Sequence, residues 1–281
     1  MRELDRPKLC EASIFHRAFS FQSQLQFSPC CKTNVRAIYN FISQGDYVYL
    51  VVVKAKARLQ KDVEDTPSNA RKAQGERTRI AILETAVHIA SAEGLEGLTI
   101  GRLALELSMS KSGLFAHFGS KEELQVATVE TARSIFIKEV IKPAFEAKEG
   151  VLRLWTLCDT WLSYIQSGIF RGGCFFAAAA AEFDGRPGIV RDRIAEIMKE
   201  WLATLQRSIM EAQKAGHLKS DVDATQLAFE FNSLELGANW EYQLYGESGS
   251  FTRAREAIHH RLAAYATAAG RRLLPTRETN K

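Results

Sequence analysis

From residue 71 onward, apolar positions recur at helical spacing. Ile80, Leu83, Val87 and Ala90 fall at i, i+3, i+7 and i+10 and predict the buried face of a first helix. Gly94 stops it. Thr99 is an N-cap residue for a second helix, on which Ile100, Leu103, Ala104 and Leu107 share a face. Ser108-Met109-Ser110 reads as a three-residue turn. A short third helix follows over 111–118, with Leu114 and Phe118 on one side, and Gly119 ends it. Ser120, with Glu123 three residues on, reads as a capping box that opens a fourth helix. Beyond Lys142-Pro143 the spacing predicts longer helices near 149–168, 173–183, 188–215, 222–246 and 252–269. Gly172-Gly173, Gly185, Pro187, Gly188, Gly216, Gly246 and Gly249 punctuate them. The predicted fold class is all-α, and no repeat of solenoid period is present.

Residues 1–70 follow a different pattern. Residues 13–53 hold Phe, Ser, Gln and Cys without a helical period, and 47–53 is a β-prone run. Residues 54–69 turn polar and charged, ending in Thr66-Pro67-Ser68-Asn69, a turn or linker signal. Two expectations stand for this N-terminal extension: an accessory or disordered arm, or a gene-start artefact. After Met1 the next methionine is Met109, so a start between them would use a non-AUG codon, as at Val51, Val52, Val53 or Val63. The expected organisation is an extension over 1–70, a helix-turn-helix domain over 71–124, a helical domain over 125–270 and a frayed tail over 271–281.

Composition adds limits. The 281 residues are 46% apolar and 25% charged, as in ordinary globular proteins. A formal charge of +4 permits nucleic-acid binding without demanding it. The five cysteines form no metal-binding spacing and no disulfide framework, which predicts a reducing, cytoplasmic setting. No apolar run reaches the roughly 18 residues of a membrane helix. No GxSxG, HExxH, GxxxxGK[ST] or GxGxxG pattern is present, so neither an enzyme nor a cofactor is expected. Glu182 and Asp184 read as polar residues at a helix end.

The third predicted helix carries the informative chemistry. The DNA major groove admits one α-helix, and a reader helix needs an apolar back and a small, polar or basic leading end. Leu114 and Phe118 supply the back, and Ser110, Lys111, Ser112 and Gly113 the leading end. Gly113 costs about 1 kcal/mol against Ala in a helix, for which close approach to DNA or close helix packing would be a reason. Arg71, Lys72, Arg77, Arg79, Arg102 and Lys121 surround it as candidate phosphate contacts, or as an ordinary solvated basic face.

The stretch from Thr99 to Leu124 contains Phe115-Ala116-His117-Phe118 followed by Gly119-Ser120-Lys121-Glu122-Glu123-Leu124. Over about residues 76–124 it resembles the DNA-binding module of the tetracycline-repressor (TetR) family. The resemblance implies that Ser110, Lys111, Ser112 and Gly113 face bases or nearby phosphates. It also puts Thr99, Phe115, His117 and Lys121 where family members touch the backbone. The family usually has Tyr at the position of Phe115. Without the hydroxyl a phosphate hydrogen bond is lost, leaving the ring to pack on the sugar-phosphate edge.

The resemblance further implies a double-stranded, palindromic operator, a small-molecule effector and repression by a homodimer. For the effector, the aromatic load of 125–270 suggests a largely apolar site. Trp155, Cys158, Trp161, Phe175, Phe176, Phe183 and Trp240 are its candidate lining residues, although helical spacing makes most such aromatics core, and Cys158 and Cys174 read equally as small buried hydrophobes. For the dimer, the family uses the last two long helices, near 222–246 and 252–269. Here Ala224, Leu227, Ala228, Phe231, Leu234 and Ala238 offer one apolar face, and Ala257, Ile258, Leu262, Tyr265 and Ala266 another. The alternatives are a DNA-binding dimer without an effector, and an all-helical enzyme without a known motif.

Overall fold

A computed structural model describes residues 67–275. The extension expected over 1–70, with its β-prone 47–53, lies outside the described residues except for its last four positions. Those four are the start of α1 (Pro67–Glu93). The sequence reading took Thr66-Pro67-Ser68-Asn69 as a turn. Proline fits the first turn of a helix, where its missing N–H is not needed, so the same residues open one.

Next come α2 (Ile100–Glu106), α3 (Lys111–Phe118) and α4 (Lys121–Phe136). Thr99, Ser110 and Ser120 cap them, accepting from the backbone N–H of Arg102, Gly113 and Glu123. In the turn before α3, Ser108 adopts a left-handed conformation with φ of 52°. The inward face of α1 holds Val87 and Ala90 as expected, with Leu83 half-buried against the core. Ile80 departs from it, at 49% exposed, and Ile82, Ala86 and Ile89 are buried as well. Adjacent stripes of one helix share apolar residues, and the tertiary partners set the width of the buried face. Leu103, Leu114 and Phe118 close this small core, each contributing roughly 1.5–3 kcal/mol by burial.

α4 continues through a π-helical turn (Ile137–Ile141) into the short α5 (Lys142–Glu146). The wider turn directly precedes Pro143, where a regular helix would require an N–H that proline lacks. The Thr160 hydroxyl donates to the Val140 carbonyl in that turn, at 3.2 Å. Then follow α6 (Val151–Gln166), α7 (Phe175–Phe183), α8 (Ile189–Lys214), α9 (Ala224–Tyr245), α10 (Gly249–Tyr265) and α11 (Ala268–Arg271). α9 packs between α8 and α10, α6 lies against α8, α9 and α10, and α4 bridges α1 to α8. Among the described residues no strand forms; Leu218 and Ala266 make one isolated antiparallel bridge. The chain past 270 is not frayed up to Pro275: Leu274 is buried and the Pro275 carbonyl lies 3.0 Å from His259 Nε2.

The helix-turn-helix and the larger bundle meet through α4, which packs on both, and through the contact of α1 with α7. Just before α7, the Gly172 N–H donates to Ser91 Oγ at 3.3 Å. A Cβ on Gly172 would collide with the Ser91 carbonyl oxygen, a backbone atom that cannot step aside alone. At the far end of α7, the Glu182 carboxylate accepts from Leu95 N–H at 2.7 Å and Glu96 N–H at 2.9 Å. Gly172→Ala is therefore expected to lower stability by about 1–3 kcal/mol, measured by urea unfolding, although alanine is the better helix and loop residue by intrinsic preference. Wild-type stability in the variant would show that this close approach does not constrain the fold.

Candidate nucleic-acid interface and a buried polar core

The third helix presents its leading end and one side to solvent. Ser110, Lys111, Ser112, Phe115 and Ala116 are exposed, with Phe115 54% accessible, while Leu114 and Phe118 are buried behind them. Ser110 Oγ lies 3.3 Å from Ser112 Oγ. A Cβ on Gly113 would stand 3.0 Å from Ser110 Oγ, so the N-cap itself supplies a reason for glycine there. The Lys111 side chain lies along Gly101 of α2, its Cε within 3.6 Å of where a Cβ would be. The structure thus brings Thr99, Ser110, Lys111, Ser112 and Phe115 to one exposed face around the start of α3.

Several basic candidates have partners within the chain. The Arg102 guanidinium is bound to Glu93 at 2.7 and 3.0 Å and to Glu106 at 2.8 Å. Lys121 Nζ pairs with Glu96 at 2.7 Å, and this ammonium holds the Glu96 carboxyl below the usual carboxylate range. Arg79 has a structural role that the sequence did not disclose. It donates to the His117 carbonyl and stacks over the Phe118 ring, 4.4 Å from the centroid. This fixes the end of α3 against α1. His117 is half-buried, its ring tilted against Phe118.

In the larger bundle, Cys158, Trp161, Phe175, Phe176 and Phe183 are buried, and Trp155 is half-buried with its ring edge-on to His259. Trp240 does not join them. It is 60% exposed on the outer side of α9, against Tyr245. The faces expected to be free for a second copy also differ. Leu227, Ala228, Phe231 and Ala238 of α9 and Ile258, Leu262 and Ala266 at α10 are buried within the chain. The exposed apolar stripe of α9 is instead Phe229, Trp240 and Leu244, with the half-buried Leu236 between.

Glu235 was not anticipated. It is wholly buried, and its carboxyl has no nitrogen or oxygen donor; the Cys158 thiol is its hydrogen-bonding neighbour. Cys158 of α6 lies beside it, and burial drives the Glu235 carboxyl well above the ordinary carboxylate range. Cys174, at the head of α7, senses the same carboxyl and interacts with Trp161. Burial pushes the Cys174 thiol up to about 11 and raises Cys158 well above the ordinary thiol value, so neither has the thiolate character of a reactive cysteine. The buried Tyr164 hydroxyl, near Cys174, faces the Phe175 backbone N–H. One turn on from Glu235, Asn239 Oδ1 accepts the Cys174 N–H at 3.0 Å. The signal was available in the sequence: Glu235 falls within the apolar stripe of Ala228, Phe231 and Ala238.

A helix-turn-helix carried on an all-helical bundle defines the class of a DNA-binding transcription regulator. The family model described as bacterial regulatory proteins, tetR family, matches residues 82–128. That of the tetracyclin repressor-like C-terminal domain matches residues 150–258. Together they cover more than half of the chain, which belongs to the TetR family. No curated protein matches the chain. Among solved structures it is similar to a TetR transcriptional regulator from Chloroflexus aurantiacus, 22% identical with a TM-score of 0.63, over 69% of this chain and 98% of that one. It is also similar to a transcriptional regulator from Saccharomonospora viridis in complex with choline, 22% identical with a TM-score of 0.59, over 68% and 98%. AibR in complex with isovaleryl coenzyme A and operator DNA is 22% identical with a TM-score of 0.52, over 66% and 97%. Among the described residues no helix is long and apolar enough to cross a membrane.

Glu235 has a consequence for stability. Its carboxyl value is raised in the folded chain above the ordinary 4.5. Protonation therefore stabilises the fold fully below that ordinary value, and the contribution is lost as pH rises through the folded value. Glu235→Gln keeps the shape and carries no charge to bury. It is expected to gain about 1–3 kcal/mol on wild type, a gain that grows as pH rises above the ordinary 4.5, by urea unfolding at each pH. A difference that does not change with pH would mean that the carboxyl is not held neutral by the fold.

Proposed function

We propose that the chain is a homodimeric repressor that reads a palindromic duplex operator with α3 and is released by a small molecule bound in the larger bundle. The observation that carries this reading is the exposed leading end of α3, where Ser110, Lys111 and Ser112 stand clear on a helix whose back is locked by Leu114, Phe118 and Arg79. These groups meet base edges or adjacent phosphates, and Thr99, Phe115 and His117 lie where the backbone would run. The Lys121–Glu96 pair is partly exposed and worth at most about 1 kcal/mol, so a phosphate can take the ammonium over. Arg102, held by two carboxylates, serves the site mainly by fixing α2 against the end of α1. Such a protein works beside the chromosome, in the cytoplasm, and needs no catalytic group.

Effector binding is supported by two of the similar structures, which hold isovaleryl coenzyme A and choline. The route to the DNA-binding helices would be α7. Its head touches the Cys158–Glu235 region through Cys174, and its end holds the α1–α2 loop through Glu182. A ligand that displaces α7 therefore alters how α2 and α3 are held, and it lowers operator affinity by the difference in its own affinity for the two arrangements.

Two copies would meet through α9 and α10, using Phe229, Leu236, Trp240 and Leu244 in place of the faces buried in the protomer. Two reading helices related by a two-fold match a palindrome. Trp240→Glu is expected to give a monomer in sedimentation and to weaken operator binding by about tenfold or more; a variant that remains dimeric places the interface elsewhere. Lys111→Ala is expected to cost about 1–3 kcal/mol on DNA recovered by genomic pull-down, and much less on unrelated DNA. Equal binding of the variant and wild type to that DNA removes α3 as the reader.

A further inference from the structure

We propose that Glu235 is the anchor of the effector site and that the effector it selects is an amphipathic cation, a protonated amine on an aromatic or apolar body. The proposal rests on the effector-binding reading above and names its chemistry.

The argument begins with what Glu235 lacks. A buried carboxylate normally finds an Arg, a Lys or a set of backbone N–H groups. Glu235 is fully buried in the middle of α9, and its oxygens have none of these. Arg255 reaches the neighbouring α6 from α10, but Asp159 takes it at 2.6 Å, Ser163 at 2.9 Å and Gln166 at 3.2 Å. The Cys158 thiol beside Glu235 is a weak donor and carries no countercharge. A buried acid with only a thiol beside it is the complement of an ammonium group, which brings both a countercharge and N–H donors.

The surroundings suit the rest of such a ligand. Trp161 interacts with Cys174, which in turn senses Glu235. Around Tyr164 the rings of Phe136, Phe176 and Phe175 stand edge to face, with centroids 5.4–6.2 Å apart. Aromatic faces attract a desolvated cation in addition to the carboxylate. A neutral donor would satisfy one oxygen and leave any charge uncompensated. An anion would oppose ionisation of an acid that burial already keeps neutral. The position also has leverage. Asn239, one turn from Glu235, holds the first N–H of α7, and Glu182 at the other end of α7 holds the DNA-binding helices. A cation drawn to Glu235 thus binds against an element that joins the two parts.

The test is calorimetric titration of the full chain with three probes of like size: 2-phenylethylammonium, 2-phenylethanol and 3-phenylpropanoate. The cation is expected to bind saturably and about tenfold more tightly than either of the others. Glu235→Gln is expected to remove that preference while leaving the alcohol within about twofold. No saturable binding of the cation, or equal affinity for all three probes in wild type, overturns the proposal even if the Gln variant fails to fold. Undiminished cation binding by a folded Glu235→Gln chain overturns it as well. The titration needs no DNA, so a chain that binds the cation but no operator would sink the regulator reading and leave the site standing.

Discussion

The Glu182 carboxylate accepts two backbone N–H groups from the loop between α1 and α2, and with α4, whose Gln125 donates to the Leu95 carbonyl of the same loop, it ties the DNA-binding helices to the rest of the chain. Charge-assisted bonds of this length are roughly twice as strong as neutral ones. They are also directional, because both oxygens are committed to adjacent peptides of one loop. Gly94 completes the fit: it turns left-handed with φ of 88°, and a Cβ there would press on the Glu182 carboxylate. At the other end of the same helix, Gly172 lets the chain pass against the Ser91 carbonyl. Besides the packing of α4, the two parts are therefore held at two points of α7, and both points need backbone-close approach. Such a junction fixes one arrangement well and tolerates intermediate ones badly. That is the mechanical property a two-state regulator requires.

The reading helix itself is held by short-range devices. Ser110 caps it, Gly113 leaves the cap room, and Arg79 clamps its far end through a carbonyl and a ring. None of these groups needs to move when DNA arrives. The exposed cations nearby divide into two kinds. Arg102 is fixed by two carboxylates and stiffens α2, whereas Lys111 extends over Gly101 with no carboxylate partner among the described ion pairs. Preorganised contacts and mobile ones thus lie side by side, and binding costs side-chain entropy mainly in the second kind.

The fold was legible where the physics is local. Three N-caps, the glycine stops and the apolar periods depend on residues within one turn of each other, so α2, α3 and the long helices fall close to their predicted limits. What was misread depends on distant partners. Ile80 against Ile82, and Leu227 and Phe231 against Phe229 and Trp240, are choices between stripes of one helix that only the neighbouring helices decide. The clamp that Arg79 makes on α3 was invisible in the sequence because its carbonyl partner is 38 residues away. Glu182 looked like a helix-end residue for the same reason, with its acceptor role 86 and 87 residues distant. The family motif located the reading helix, but it carried no information about the core of the larger bundle.

Glu235 differs from these cases, since its anomaly is local and was readable: a carboxylate on an apolar stripe. A hydrophobic residue of similar volume would pack there at no electrostatic cost, and replacing buried charges in that way commonly leaves a protein equally or more stable. Stability therefore gives no account of the residue. The buried thiols beside it do not explain it either, because burial raises both and disfavours the thiolate. Sequences break local rules chiefly at functional sites. In this chain the break sits one helical turn from the group that holds the head of α7, an element through which the bundle grips the DNA-binding helices. The one unpaired acid of the described core and the junction to the reading helix are thus connected by a single nine-residue helix. Occupancy at the first is physically placed to act on the second.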